Sequence, residues 1–491
     1  MHTFATHIPM TVSSEQWSRK RIAKAILLLG IPLIVGELGS IVQQYADTIM
    51  VGHFGTEHLA AAGFVNTVFY FVIFLTLGMS YAVTPLVGNA YGRKDFKGVY
   101  QVFREGLRTN FLVGMLFFAL LLLIYFNLEE LFFTPNFITS HHQPLEILEL
   151  SKNYWLILTF SVPFLTMFYA CKQYLDGIGK TGISMWILLV SNVLNIGLNW
   201  CLIFGHCGFT PMGLYGAGIA TLVSRIVQLI LILLAVKKSE IVKDNHWTVT
   251  PSWHGVWKQV KLGLPVSLQL GLEIGIFNVC GIFAGWLSST ALAAHQAMYT
   301  ISTLFFQVLY GIGAAGSILI SQFHSIKAWS NIRRTARISF WIGLGFITFL
   351  SILVNIFFFP LASVFTDDTA VQDIMLCIFG CLLLYQLGDC LQITYANALR
   401  GLSYTKPLPI IASFSYLLLC IPLSYFYTFN FSSWIESVGM DYLVSDWWRP
   451  EIGLWLGIPF GLLLAGIFFR LVFRLKLRSL LLDQKIEIKT S

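Results

Sequence analysis

Four carboxylates fall inside long apolar runs of this sequence: Glu37, Asp47, Glu273 and Asp389. An aspartate at the centre of a membrane-spanning helix costs about 2.5–3.5 kcal/mol on insertion scales, so a chain that keeps one there has a use for it. Tyr385 stands one helical turn before Asp389 in "LYQLGDCLQ", and Gln269 one turn before Glu273; each pair shares a helix face. Glu273 lies about eleven residues into its run and Asp389 about fifteen into its own, which puts both near mid-bilayer at about 1.5 Å per residue. Two carboxylates sharing such a site can exchange protons, hold Na+, or hold an organic cation against aromatic rings. The competing reading is a structural pair hydrogen-bonded within a bundle. The cost of burying charge favours function over structure.

A second constellation has a weaker carboxylate and better oxygens. Asn195 and Asn199 are four apart in "SNVLNIGLNW" and share one face; Thr221 in "GAGIATLVSR" lies at similar depth, and Asp47 stands near the outer end of its run. One carboxylate with amide and hydroxyl oxygens makes a small-cation donor set, although an interfacial aspartate is in itself ordinary. Glu37 is an accessory candidate with three open readings: it snorkels, pairs, or sits protonated.

The elements that position these residues are membrane spans. Of 491 residues 56% are hydrophobic and only 11% charged, whereas soluble domains carry about 25% charged residues. That excludes a water-soluble enzyme. Runs of about 20 apolar residues, the length that crosses a bilayer, occur at approximately 25–51, 58–87, 106–127, 153–175, 183–204, 212–235, 262–287, 291–323, 338–365, 374–399, 406–430 and 452–473. The fold class is all-α integral membrane, with twelve transmembrane helices in two six-helix lobes. The organisation is a tail 1–24, an N-lobe 25–235, a linker 236–261, a C-lobe 262–473 and a tail 474–491.

Lys and Arg cluster in both tails, in the linker and in the loops after the second and eighth spans. The alternate loops carry acids instead, at Glu129, Glu130, Glu146 and Glu149, at Asp367, Asp368 and Asp373, and at Glu436, Asp441 and Asp446. By the positive-inside rule both termini are cytoplasmic. The net charge of +7 is then a topology signal, and no nucleic-acid partner is implied. Trp434, Trp447 and Trp448 read as interfacial anchors, and the opening 25 residues do not read as a cleaved signal peptide. Most of the eight Cys lie in apolar runs and act as small hydrophobes.

The halves repeat. Sliding the chain by 233 residues brings Gly30 onto Gly263, Pro32 onto Pro265, Gly52 onto Gly285, Leu59-Ala60-Ala61 onto Leu292-Ala293-Ala294 and Gly78 onto Gly311, without a gap. Six spans per copy is an even number, so the copies are parallel, an arrangement that places substrate sites near the midplane. Two sequences mislead. "DGIGKTG" (176–182) lacks the glycine that a phosphate loop needs at 174, where Tyr174 stands, and reads as a loop with glycine turns; "FTDDTAVQD" (365–373) reads as a solvated outer loop at a helix start rather than a metal cluster. With no nucleotide site, energy must come from an ion gradient.

Over nearly its whole length the chain resembles the multidrug and toxic compound extrusion (MATE) family, in its NorM-like branch. The resemblance is carried by "YADTIMVGHFG", "YLDGIGKT", "LGLPVSLQLGLE" and "LYQLGDCLQ…ALRG". It implies that Glu273, Asp389 and Tyr385 form the C-lobe cation and proton site, and that Asp47, Asn195, Asn199 and Thr221 form the N-lobe site. At 199 this chain has Asn where some members have Asp, which removes one negative charge. The implied activity is secondary active efflux of cationic amphipathic compounds in exchange for Na+ or H+ by alternating access, without enzymatic chemistry, cofactor or metal beyond that ion. A monomer in the bacterial inner membrane is expected. The rival expectations are a lipid-linked oligosaccharide flippase, which would need a strongly cationic cavity, and an intramembrane lipid-modifying enzyme, for which the acidic outer loop is the one candidate metal site.

Overall fold

The computed structural model describes residues 16–133, 147–243, 249–438 and 448–490; Glu146, Asp441, Asp446 and Trp447 lie outside them. Twelve helices among the described residues are long and apolar enough to cross a membrane, and the protein is an all-α, multi-pass membrane protein. They are α1 (Arg19–Phe54), α2 (Thr56–Gly92), α3 (Phe96–Phe126), α4 (Leu148–Gly177), α5 (Thr181–Phe204), α6 (Leu214–Lys237), α7 (Trp253–Leu287), α8 (Ser289–Ser325), α9 (Trp329–Ile356), α10 (Thr369–Gly401), α11 (Pro407–Val438) and α12 (Pro450–Thr490).

Each coincides with one apolar run, but most run past it. A backbone leaving hydrocarbon in helical form keeps its hydrogen bonds and has no reason to stop at the headgroups. So α7 begins inside the charged linker, and α12 continues as helix through the residues read as a tail. The N-terminal tail is also anchored from Trp17 onward. The Trp17 amide donates to Asn331 Oδ1 (3.1 Å) and its ring meets Phe323 edge-on.

Three spans are interrupted. The α2 helix turns at Tyr81–Ala82, where Pro85 has no N–H to offer and its ring crowds the carbonyl of residue 81. The ninth run ends as helix at Ile356 and resumes as a separate short helix, Phe358–Phe365. Within α11 the turns widen to π-helix at Ser413–Cys420 and Phe426–Asn430, on either side of Pro422. Gly453, Gly457 and Gly461 of α12 form a stripe beside this segment, the small-xxx-small pattern that lets two backbones approach closely. A Cβ on Gly457 would lie 2.6 Å from the Ser424 backbone nitrogen. Gly457→Val is therefore expected to destabilise the protein by about 1–3 kcal/mol through overpacking, seen as a lower melting temperature of the purified protein in detergent.

Chain contacts divide the molecule into two compact units. Unit 1 holds Val35–Ser267; unit 2 holds Val12–Ile34 with Leu268–Ser491. The division runs inside α1 and α7 rather than at the linker, and the two cuts are 233 residues apart, the offset of the sequence repeat. In unit 1, Gly78 of α2 packs on Ser267 and Gly263 on the Met79 carbonyl; in unit 2, the equivalent Gly311 packs on Ile34 and Gly30 on Gly311 and Ile312. Lys94 and Lys327, also 233 apart, both adopt left-handed φ (60° and 55°). Each ends a helix with a six-residue bond, from Asp95 to Ala90 and from Ala328 to Phe323, the Schellman pattern.

Unit 1 buries an outer core around Trp155 and Phe69 and a second around Phe103 and Tyr174. In unit 2, Trp455, Phe469, Phe305 and Phe323 are fully buried.

Candidate functional sites

In unit 2 the C-lobe residues converge. Gln269 and Glu273 face inward from α7, one turn apart, and Gln269 Nε2 donates to Glu273 Oε2 at 2.7 Å. From α10, Tyr385 donates its hydroxyl to Asp389 Oδ2 at 3.3 Å. The charges of Glu273 and Asp389 are close enough to repel. Asp389 is 0% exposed, Tyr385 2% and Glu273 5%, so the site is closed to solvent. Gly388 allows this placement: a Cβ there would sit 2.8 Å from the Leu463 backbone nitrogen, so α10 lies directly on α12 beside Asp389.

A cation that the sequence reading passed over completes the site. Arg400, 4% exposed, donates to Gln269 Oε1 at 2.6 Å, so a relay runs Arg400–Gln269–Glu273. Glu273 is thus linked to a buried guanidinium, while Asp389, eleven residues before Arg400 on the same helix and so about 16 Å from it, has no base bonded to it among the described residues. The Asp389 Oδ1 atom has no hydrogen-bond partner among the described residues. A low-dielectric site cannot hold an uncompensated negative charge at small cost, and this oxygen is where a proton, Na+ or an organic cation would restore the balance. Aromatic walls stand nearby: Phe277 meets Tyr385 edge-on at 5.9 Å and Tyr299 at 5.1 Å.

In unit 1 a cavity of about 280 Å³ is lined by the N-lobe candidates and by Glu37, Lys172 and Arg225. Asn199 Nδ2 donates to Asp47 Oδ1 at 2.6 Å and to Asn195 Oδ1 at 3.3 Å, so these three are brought together. Gln43 donates to the other Asp47 oxygen at 3.4 Å. Thr221 lines the same cavity, but its hydroxyl bonds the Ala217 carbonyl of its own helix. Both Asp47 oxygens therefore receive N–H donors, the opposite of what a bound cation offers them.

Glu37 is paired: Lys172 Nζ lies 3.3 Å from Glu37 Oε1 and 3.3 Å from Asp176 Oδ2. Asp176 also accepts from Ser184 at 2.6 Å. The "DGIGKTG" loop is a helix end, with Gly179 at φ +82° and the Lys180 amide bonded back to Leu175. Arg225, bonded to the Ser161 hydroxyl, adds a second base to the cavity. Sequence reasoning missed it, though it stands mid-span in "GAGIATLVSR", and the rule applied to the carboxylates would have found it. In the acidic outer loop, Asp368 caps α10 by accepting from the Ala370 amide at 2.9 Å. No group of three metal-ligating side chains occurs among the described residues.

Comparison with known proteins gives this architecture a family. The MatE family model matches residues 32–201 and again 265–426, two matches that begin at the repeat offset. The chain is 27% identical over 487 residues to the probable multidrug resistance protein NorM of Rhizobium meliloti (strain 1021), covering 96% of this chain and 98% of that one. It is 25% identical over 468 residues to the probable multidrug resistance protein NorM of Photorhabdus laumondii subsp. laumondii, covering 95% and 98%. Its fold matches a mutant of the Vibrio cholerae MATE transporter VcmN with a TM-score of 0.81 at 19% identity, covering 94% and 99%. The chain, built as two copies of one six-helix unit that each match the same model, belongs to the MatE family.

Proposed function

We propose that the protein is a multidrug efflux transporter that exports cationic amphipathic compounds in exchange for Na+ or H+ by alternating access. One observation carries the reading: of two buried carboxylates, Glu273 is linked through Gln269 to a buried arginine, while Asp389 has no such partner among the described residues and its Oδ1 is unpartnered. A site short of one positive charge takes either the coupling ion or a cationic substrate, and occupancy by one excludes the other. That mutual exclusion is the coupling. The NorM relatives are named as probable multidrug resistance proteins, which supports drugs as the cargo. The N-lobe cavity plays a secondary part here: Asp47 already accepts from Asn199 and Gln43, and with Gln43, Asn195 and Thr221 it shapes a polar wall. Asn199 Oδ1 and Asn195 Nδ2 have no hydrogen-bond partner among the described residues.

The flippase reading requires a strongly cationic cavity. The N-lobe cavity is lined by two acids, Glu37 and Asp47, and two bases, Lys172 and Arg225, a balanced wall that does not favour it. We place both termini in the cytoplasm on the charge asymmetry of the loops, and the protein in the bacterial inner membrane on its likeness to the bacterial NorM relatives.

The test is ethidium efflux from cells carrying the protein or an empty vector, with Na+ and pH varied independently. Efflux above the vector control that follows one ion gradient is expected, and it identifies the ion. Efflux indifferent to both gradients would end the antiport reading.

A further inference from the structure

Arginines crowd one end of unit 2. A cleft of about 900 Å³ runs between α9 and α12, lined by Arg333 and Arg337 from one helix and by Arg470, Arg474 and Arg478 from the other. A neighbouring hollow that shares Arg333 and Arg337 adds Arg19 and Arg334. Among the described residues, no carboxylate lines either hollow. We propose that this cleft is a binding site for an anionic phospholipid, whose phosphodiester headgroup sits among the arginines while its acyl chains run along the apolar faces of α9 and α12.

The positive-inside rule accounts for basic residues at a cytoplasmic helix end, but it does not account for this arrangement. Among the described residues, all five charged side chains that line the cleft are Arg, although the chain's basic segments elsewhere mix Lys with Arg. Guanidinium is the planar fork that grips phosphate with two parallel hydrogen bonds, where ammonium is a point charge. Arg470 is held in place by the Tyr395 ring, 5.9 Å from its Cζ, and its buried Nε has no hydrogen-bond partner among the described residues. A buried donor left unsatisfied at the wall of a cleft calls for an acceptor.

The depth also fits. Arg470 lies about 30 Å along α12 from Pro450, one hydrocarbon thickness. In α9 the arginines occupy the first turns and an apolar stretch follows. The cleft is thus at headgroup level. Trp341, which lines the same cleft and is 62% exposed, has the place of an interfacial indole. Below it, Phe340, Phe473 and Leu477 supply an apolar floor. Basic pockets of this kind between helices recognise anionic lipid headgroups.

The test uses the full-length protein purified in detergent, with cardiolipin, phosphatidylcholine and inorganic phosphate as probes, read by native mass spectrometry and thermal shift. Wild type should retain cardiolipin over phosphatidylcholine and be stabilised by it, and inorganic phosphate at the same concentration should have no such effect. The Arg337→Gln/Arg474→Gln variant should lose roughly thirty-fold in cardiolipin affinity, the fold-change for two surface arginines at about 1 kcal/mol each. An Arg93→Gln/Lys97→Gln variant, altered at exposed bases of unit 1, should bind as wild type does. Equal retention of both lipids by wild type, equal stabilisation by free phosphate, or an equal loss in the unit 1 variant would each overturn the proposal. The first two comparisons need no variant to fold.

Discussion

Cells expressing Asp389→Asn should lose ethidium efflux by roughly thirty-fold or more, since removing one partner from a buried charge arrangement costs about 2 kcal/mol at the least. The protein should nevertheless fold. Asparagine matches the protonated aspartate in shape, can still accept from Tyr385, and relieves the repulsion with Glu273. Purified Asp389→Asn should therefore melt at or above the wild-type temperature while transport disappears. With Asn at 389, Glu273 and Arg400 are matched one to one, and nothing is left for an ion or a cationic substrate to neutralise. Efflux that survives with its ion dependence intact would make Asp389 a structural residue.

Lys172→Met should unfold much of what Asp389→Asn leaves standing. Lys172 is the cation between Glu37 and Asp176, and Asp176 is 3% exposed. Removing one partner of a buried ion pair leaves an uncompensated charge and costs about 3–5 kcal/mol. A lower yield and a clearly lower melting temperature are expected. Adding Asp176→Asn should recover most of the loss, because the amide keeps its bond with Ser184 and no longer needs the lysine. If Lys172→Met melted like wild type, the triad would not be holding the end of α4.

The spans were legible because hydrocarbon imposes a length of apolar sequence that water does not. Their ends were not, since a helix such as α12 loses nothing by continuing into the headgroups and beyond. The partners Glu273, Asp389 and Tyr385 were legible from cost and spacing alone. Arg400 was not, because a base at a span's end reads as a loop residue, and only the fold turns it back onto Gln269. Lys172 was hidden in the same way, and with it the pairing of Glu37. The donor set around Asp47 could be named but not oriented: nothing in the sequence says that Asn199 offers its nitrogen to that carboxylate rather than its oxygen to a cation. The breaks in the second and ninth spans were equally hidden within continuous apolar runs.

The sharing of α1 and α7 between the units bears on how the protein is made. Synthesis proceeds from the N-terminus, so the segment ending at Ile34 is among the first to leave the ribosome. Its neighbour at Gly311 belongs to α8, more than half a chain later. Unit 1 in turn is not whole until residues up to Ser267, beyond the linker, have been added. A nascent chain halted in the linker would hold a first helix half of unit 2 without its partner, and a unit 1 that still lacks a piece. Unit 1 can close once Ser267 has been added, whereas the first segment of unit 2 must wait through the synthesis of unit 1 for the helices it packs on.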